Sequence, residues 1–274
     1  MTAAPGRVTV GSLQEMKRRG RKIVAVVAWD CQLAAIADRA GAEIVSVGDS
    51  VGVHLWGQPD PLAVTMEQML VVTAAVRRGV DRALVSADVP FGPVQDGPAA
   101  ARAAAAALAE EGGADLVKLD AAADHPEAVA AVAGAGIPVW AQFGLTPQTA
   151  ERHGVSYADV MAGAQVPAGL AGELVAAAVR LHEAGASLLD FTGSGPAAGA
   201  AVARAVPVPV LGGRGGGPWL DGRVRLAHAA IGYAAAGLES EPDSYANVAR
   251  VALDALTRYA GDVRGGRPVR GDNR

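Results

Sequence analysis

Carboxylates recur at the points where apolar runs stop. Asp49 and Ser50 follow the run ending Val45-Ser46-Val47-Gly48. Asp88 follows residues 83–87, Asp120 follows residues 114–119, and Asp190 lies within residues 187–192, just ahead of Thr192. Lys118 sits inside one of these runs. Oxygen donors with no cysteine and no paired histidine beside them suit a hard cation such as Mg²⁺. A lysine that faces a packed interior is costly unless paired, and these carboxylates supply the pair. An aspartate at a strand-to-helix junction also has a plainer use, as a helix N-cap. For any single aspartate, Asp30 included, that use competes on equal terms. For Asp49 and Asp88 together the balance tips towards chemistry, because each is followed by a loop containing Gly or Pro instead of an immediate helix.

The elements that must hold these residues alternate along the chain. Ser12-Leu13-Gln14-Glu15 has the form of a capping box, which predicts a short N-terminal helix running to Arg19. β-rich runs at residues 22–29, 43–48, 83–87, 114–119, 137–143, 187–192 and 208–212 read as strands, and helical patterns separate them at residues 31–40, 65–78, 98–111, 126–135, 171–184 and up to 205. Residues 145–170 form a longer, irregular connection carrying Thr146-Pro147-Gln148, His153 and Tyr157. Residues 223–233 fit a last strand or a helix. Residues 244–259 predict an amphipathic terminal helix, followed by a charged tail expected to fray. Seven or eight β-α units imply a parallel sheet with right-handed crossovers. At this length they favour a closed (β/α)8 TIM barrel, a single domain over residues 1–274, against a doubly wound sheet. The absence of a G-x-G-x-x-G motif opening a helix after the first strand argues against dinucleotide binding. In a barrel the strand ends share one mouth, and Asp49, Asp88 and Asp120 would come from three consecutive strands.

Composition narrows the partners. With 51% hydrophobic and 19% charged residues in 274, the chain can bury one large core. Net charge is −4 and no basic run exceeds Lys17-Arg18-Arg19, which speaks against nucleic acid. Cys31 is the sole cysteine, so an intramolecular disulfide and a cysteine metal site are excluded, and nothing beside it activates a thiol. No apolar stretch is long enough to span a bilayer, and residues 1–7 lack a signal-peptide pattern. A cytoplasmic enzyme acting on a small molecule is expected.

Five collinear segments carry a resemblance. They are Val47-Gly48-Asp49-Ser50-Val51-Gly52, the stretch closing on Thr73-Ala74-Ala75-Val76-Arg77-Arg78-Gly79, then Ala87-Asp88-Val89-Pro90-Phe91-Gly92, Gly113-Ala114-Asp115-Leu116-Val117-Lys118-Leu119, and Gly144-Leu145-Thr146-Pro147-Gln148. Together they resemble the ketopantoate hydroxymethyltransferase family over about residues 20–260. The resemblance implies a barrel of the phosphoenolpyruvate mutase and isocitrate lyase superfamily. It implies Mg²⁺ held by Asp49 and Asp88, with Asp120 supporting the metal where the family has Glu. It further implies a 2-oxo acid chelating that metal and held by Ser50 and Lys118. The family transfers a hydroxymethyl group from methylenetetrahydrofolate to 2-oxoisovalerate, an aldol-type bond formation through a metal-bound enolate, and it often forms large homo-oligomers.

The departures from the family fall on the other side of the chemistry. Thr192 stands where the family has its proposed Glu base, and an unactivated hydroxyl is too weak for that step. Asp190, two residues earlier on the same strand face, is the candidate relocated base, with a plain ion pair to Lys118 as the competing role. Gln142 replaces a substrate-binding His, and residues 153–167 replace a Gly-rich family loop. Arg214 replaces a Gly in the seventh-strand segment, where a cation would suit a substrate with an extra anionic group. Three readings are open. The first is a hydroxymethyltransferase-like enzyme with an altered substrate. The second is a folate-independent lyase or decarboxylase, which has no need of a C–H base. The third is a catalytically silent metabolite-binding paralogue.

Overall fold

Residues 44–47 are β-branched or small, and all four are covered on both faces, as a strand in the middle of a parallel sheet requires. Residues 84–88, 116–119 and 188–192 are likewise buried throughout. In the computed structural model, which describes residues 6–146, 149, 156, 159, 165–239 and 243–271, eight parallel strands close into a barrel in sequence order. They are β1 Ile23–Val27, β2 Ile44–Val47, β3 Leu84–Asp88, β4 Leu116–Leu119, β5 Val139–Gly144, β6 Leu188–Thr192, β7 Val210–Gly212 and β8 Gly222–Leu226. Ile23 N–H donates to Asp221 O at 3.0 Å where the last strand meets the first. The expected (β/α)8 barrel is the observed fold.

Packing divides the chain into two compact units, residues 1–224 and 225–274. In the first, α1 Val10–Arg18 precedes the barrel, and the connections carry α2 Cys31–Arg39, α3 Val51–His54, α4 Met66–Arg77, α5 Phe91–Gln95, α6 Pro98–Glu110, α7 Pro126–Gly134, α8 Ala171–Glu183 and α9 Pro196–Ala205. Val8, Leu13 and Met16, from α1 and the residues before it, pack into one cluster with Ile23, Ile44, Leu84, Leu116, Trp140, Leu188 and Leu211. These are the lowest inward side chains of seven strands, so α1 stoppers the N-terminal end of the barrel. In the second unit, α10 Ala227–Ile231 ends on Gly232 in the left-handed region, and α11 Val248–Arg264 is capped by the Asn247 side chain, which accepts from Arg250 N–H at 3.0 Å. Arg267, beyond α11, pairs with Asp262 at 2.7 Å. Among the described residues no helix is long and apolar enough to cross a membrane.

Three local expectations are corrected. The first helix is capped by Thr9, not Ser12. Ser12 occupies the third helical position and answers the Thr9 side chain, while Glu15 pairs with Arg18 and Arg19 instead. Residues 223–233 are neither all strand nor all helix: β8 gives way to α10 at Leu226. The terminal helix starts at Val248 instead of 244: the Asn247 side chain caps it there, and Ser244 Oγ donates forward to Ala246 O at 2.5 Å in the turn before it. Gln148, His153 and Tyr157 in the irregular connection lie outside the described residues.

Candidate active site

The mouth is assembled from strand ends. Just past β2, Gly48 gives the Ser50 hydroxyl its room: a Cβ there would sit 2.7 Å from Ser50 Oγ and 3.3 Å from Val27 Cγ1. The backbone can therefore turn at once, and Asp49 N–H donates to Asp88 Oδ2 at 3.4 Å, joining the ends of β2 and β3. Ser50 caps the short α3 without a side-chain hydrogen bond, so its hydroxyl is not spent on the cap. Asp30, by contrast, does cap α2, accepting from the N–H groups of Gln32 and Leu33 at 2.8 Å. The cap reading holds for Asp30 and not for Asp49 or Asp88.

Lys118 and Asp88 are register partners on β4 and β3. Lys118 Nζ lies 3.3 Å from Asp88 Oδ2 and 3.6 Å from Asp190 Oδ2 on β6, and 5.6 Å from the centre of the Trp140 ring below. All three charged groups are at least nine-tenths buried. Asp88 Oδ1 and Asp190 Oδ1 have no hydrogen-bond partner. Asp120 ends β4, accepts from Ala121 N–H at 2.5 Å and bonds the Thr146 hydroxyl. Ala121 is held at φ 50, the left-handed region that residues with a Cβ avoid.

Burial sets the proton affinities. It raises Asp49 well above the ordinary carboxylate range, the Asp88 charge raising it further and Lys118 pulling it back. Asp49 retains a partial opening to solvent. Burial likewise raises Asp88 and Asp190, each opposed by Lys118. It pushes Asp120 to about 7 against the Thr146, Ala121 and Lys118 contacts. Burial alone would lower the Lys118 ammonium; the carboxylates of Asp88, Asp190, Asp49 and Asp120 outweigh it, and its pKa is raised. Four carboxylates against one cation leave a surplus of negative charge in a low-dielectric pocket, an arrangement a divalent cation would relieve.

Among the described residues no three or more Cys, His, Asp and Glu side chains form a metal-ready cluster. Asp49 and Asp88 nonetheless fit a Mg²⁺ ion that draws its remaining donors from water and substrate, since they are oxygen donors and Asp88 Oδ1 is buried with no partner. On the facing wall, Gln142 Nε2 donates to Thr192 Oγ1 at 3.0 Å, a neutral pair across β5 and β6. Gly144 (φ +97) lets β5 pass so close to Thr192 O that any side chain would collide with it. Arg214 is exposed in the loop after β7, where its carbonyl accepts from Gly193 N–H at 2.9 Å. The structure thus brings together Asp49, Asp88, Lys118 and Asp190, and pairs Gln142 with Thr192. Residue spacing does not single out Thr146 or Trp140. Thr146 stands inside one of the family-like segments, but its bond to Asp120 joins β4 to the loop after β5, and no local pattern reveals that.

The profile of a family described as ketopantoate hydroxymethyltransferase matches residues 7–268. A 3-methyl-2-oxobutanoate hydroxymethyltransferase of Aeropyrum pernix is 39% identical over 266 residues, covering 96% of this chain and 93% of its own length. One of Moorella thermoacetica is 38% identical over 266 residues, covering 97% and 96%. Among solved structures, 2,3-dimethylmalate lyase, a PEP mutase/isocitrate lyase superfamily member, superposes with a TM-score of 0.63 at 16% identity, covering 92% of this chain and 88% of that one. A lyase/mutase-like protein of Burkholderia cenocepacia J2315 gives 0.60 at 22% identity, covering 93% and 87%. At such identities these two likenesses speak to the fold alone.

Proposed function

The chain belongs to the ketopantoate hydroxymethyltransferase family, and from that premise we propose that it makes a carbon–carbon bond next to the keto group of a 2-oxo acid, with Mg²⁺ as cofactor. The observation that carries this reading is Lys118, held between Asp88 and Asp190 at the mouth of the barrel. Asp49 and Asp88 would hold the metal, with Asp120 behind them. When bound, Mg²⁺ would act as a Lewis acid, drawing charge towards the keto oxygen and acidifying the neighbouring C–H. Lys118 and the Ser50 hydroxyl orient the substrate carboxylate. Asp190, through its unpartnered Oδ1, takes the proton from the carbon next to the keto group. A carboxylate whose proton affinity is raised by burial is a stronger base than an exposed one. That carbon then attacks the one-carbon unit of a donor such as methylenetetrahydrofolate. A water molecule supplies the oxygen of that unit: both C–N bonds to the carrier break, the two water protons pass to the carrier nitrogens, and the one-carbon unit is released at the formaldehyde level. As the new C–C bond forms, its C=O becomes the C–O of the hydroxymethyl group and takes up the proton held by Asp190. Gln142 and Thr192 line the substrate from the neutral wall, and Arg214 offers a cation for an additional anionic group. Thr192, Gln142 and Arg214 together favour a substrate other than 2-oxoisovalerate. The protein is expected to work in the cytoplasm as a homo-oligomer.

One observation favours a second reading. Asp190 is ion-paired to Lys118 through Oδ2, which weakens it as a base, and Thr192 is bonded to Gln142. A lyase or decarboxylase would generate the same carbanion by breaking a carbon–carbon bond. Solvent deuterium exchange into a panel of 2-oxo acids with Mg²⁺, read out by NMR, separates the two. The first reading requires exchange that disappears in Asp190→Asn. Exchange that survives removes Asp190 as base, and no exchange with any acid selects cleavage. Ketopantoate formation at rates of about 1 s⁻¹ or more would sink the altered-substrate part. Failure of the metal-free protein to bind Mg²⁺ in calorimetry would revive the silent binding role.

A further inference from the structure

We propose that Trp29 is a positioning residue for this site, bracing the segment from Gly48 to His54 that carries Asp49 and Ser50. The inference rests on the reading of Asp49 as a metal ligand. Trp29 lies just past the end of β1, which pairs with β2 as far as Val27 and Ser46. Its side chain is buried, with 3% exposure. The indole N–H donates to Gly48 O at 3.1 Å. That carbonyl belongs to the peptide bond whose nitrogen is Asp49, and the N–H of the same peptide points at Asp88 Oδ2. One peptide plane is therefore gripped from both sides, by the indole at its oxygen and by a second candidate ligand at its nitrogen.

The other end of the segment is held as well. The Trp29 ring stacks on His54, with centroids 5.7 Å apart and planes 14° from parallel. His54 closes α3, its N–H donating to Ser50 O at 3.0 Å. One side chain thus touches both ends of a seven-residue stretch and leaves Asp49 and Ser50 between its two points of contact. The need for such a brace comes from Gly48 itself. The Ser50 hydroxyl lies where a Cβ at Gly48 would crowd it, and glycine leaves the peptide ahead of Asp49 freer than any other residue would. Groups that orient a metal ligand from behind typically alter affinity about 10–100-fold when removed.

The test uses the full chain. Trp29→Phe keeps an aromatic ring and removes the donor. Calorimetry with Mg²⁺ should show binding about tenfold weaker. Activity should need correspondingly more Mg²⁺, with kcat at saturating metal largely retained. Hydrogen exchange of the metal-free protein should be faster at the amides of Val51, Gly52 and His54. A tryptophan that only fills space would lower the melting temperature and leave Mg²⁺ affinity and those amides as they were, and that result overturns the proposal. If Trp29→Phe does not fold, His54→Ala decides: faster exchange at residues 51–54 supports the brace, and unchanged exchange overturns it. Should the unaltered protein bind no Mg²⁺, the reading of Asp49 as ligand falls, while exchange in the metal-free variants still decides the brace.

Discussion

Across the mouth from Asp49, Asp88, Lys118 and Asp120, the walls formed by β5 and β6 present an amide bonded to a hydroxyl. The β2–β4 wall is charged, buried apart from the partly open Asp49, and pairs Lys118 with Asp88; the β5–β6 wall is neutral. Asp190 lies on β6 but turns to Lys118, so electrostatically it belongs with the charged wall. A dense, buried charge cluster fixes what kind of chemistry is feasible, because it dictates the sign and number of charges a ligand must bring. A neutral hydrogen-bonding pair imposes no such condition and is free to vary with the shape of the substrate. On the proposed function, the charged wall would be tied to the reaction type and the neutral wall to the choice of substrate.

The strongest attempt to break that division is Asp88→Asn, which removes a proposed metal donor and a partner of Lys118 together. Turnover should fall about 10³-fold or more, with Mg²⁺ binding lost in calorimetry. Activity within about tenfold of the unaltered protein would mean the charged wall is not the reaction centre. Next comes Lys118→Met, which strands Asp88 and Asp190 without their cation. Denaturant unfolding should show a loss of about 3–5 kcal/mol, as for other broken buried pairs.

A pH series sharpens the comparison from the same side. Asp120 holds its proton up to about 7 when folded, against an unfolded value of about 3.9. Between those values the unfolded chain has released a proton that the folded chain retains. Stability of the metal-free protein should therefore fall as pH rises from about 4 to about 7, by on the order of a few kcal/mol. The raised affinities of Asp49, Asp88 and Asp190 add in the same direction. Asp120→Asn should flatten its share of the slope, measured by urea unfolding at pH 5 and pH 8. The smallest effect is expected on the neutral wall. Gln142→Ala and Thr192→Val should each cost about tenfold or less in turnover, with a coupling of about 1 kcal/mol in a double-mutant cycle. They should reorder a panel of 2-oxo acids instead of abolishing activity.

The same contrast governs how much is legible in the amino-acid sequence. Runs such as residues 44–47 and 84–88 announce strands because burial on both faces demands continuous apolar or small residues. Their polar ends announce a mouth once the barrel is inferred. Asp30, Asp49 and Asp88 look alike in sequence, yet Asp30 caps a helix and the other two do not. The expected difference in the next stretch of chain does not separate them, because short helices open soon after all three: α3 at Val51 and α5 at Phe91 follow Asp49 and Asp88 as α2 follows Asp30. What differs is that Ser50 and Pro90 take the cap positions there, leaving the Asp49 and Asp88 carboxylates uncommitted to a cap. The charge partners of Lys118 are legible as a class because burial requires them, but their geometry is not, since Asp190 reaches it from β6 across the interior. Residues 223–233 resist assignment for a simple reason. The period-two alternation of Arg223 to Leu226 and the helical run Ala227 to Ile231 share one eleven-residue window.

The stopper formed by Val8, Leu13 and Met16 has a consequence for turnover. Among the described residues the far end of the barrel is sealed by packed side chains, which leaves the strand-end mouth as the way to Lys118. Acceptor, one-carbon donor and both products would have to pass through it in turn. Whatever occupies the deepest position, beside Lys118, must enter first and leave last. An ordered kinetic pattern, with the product that retains the substrate carboxylate competing against the 2-oxo acid, is the signature of that route.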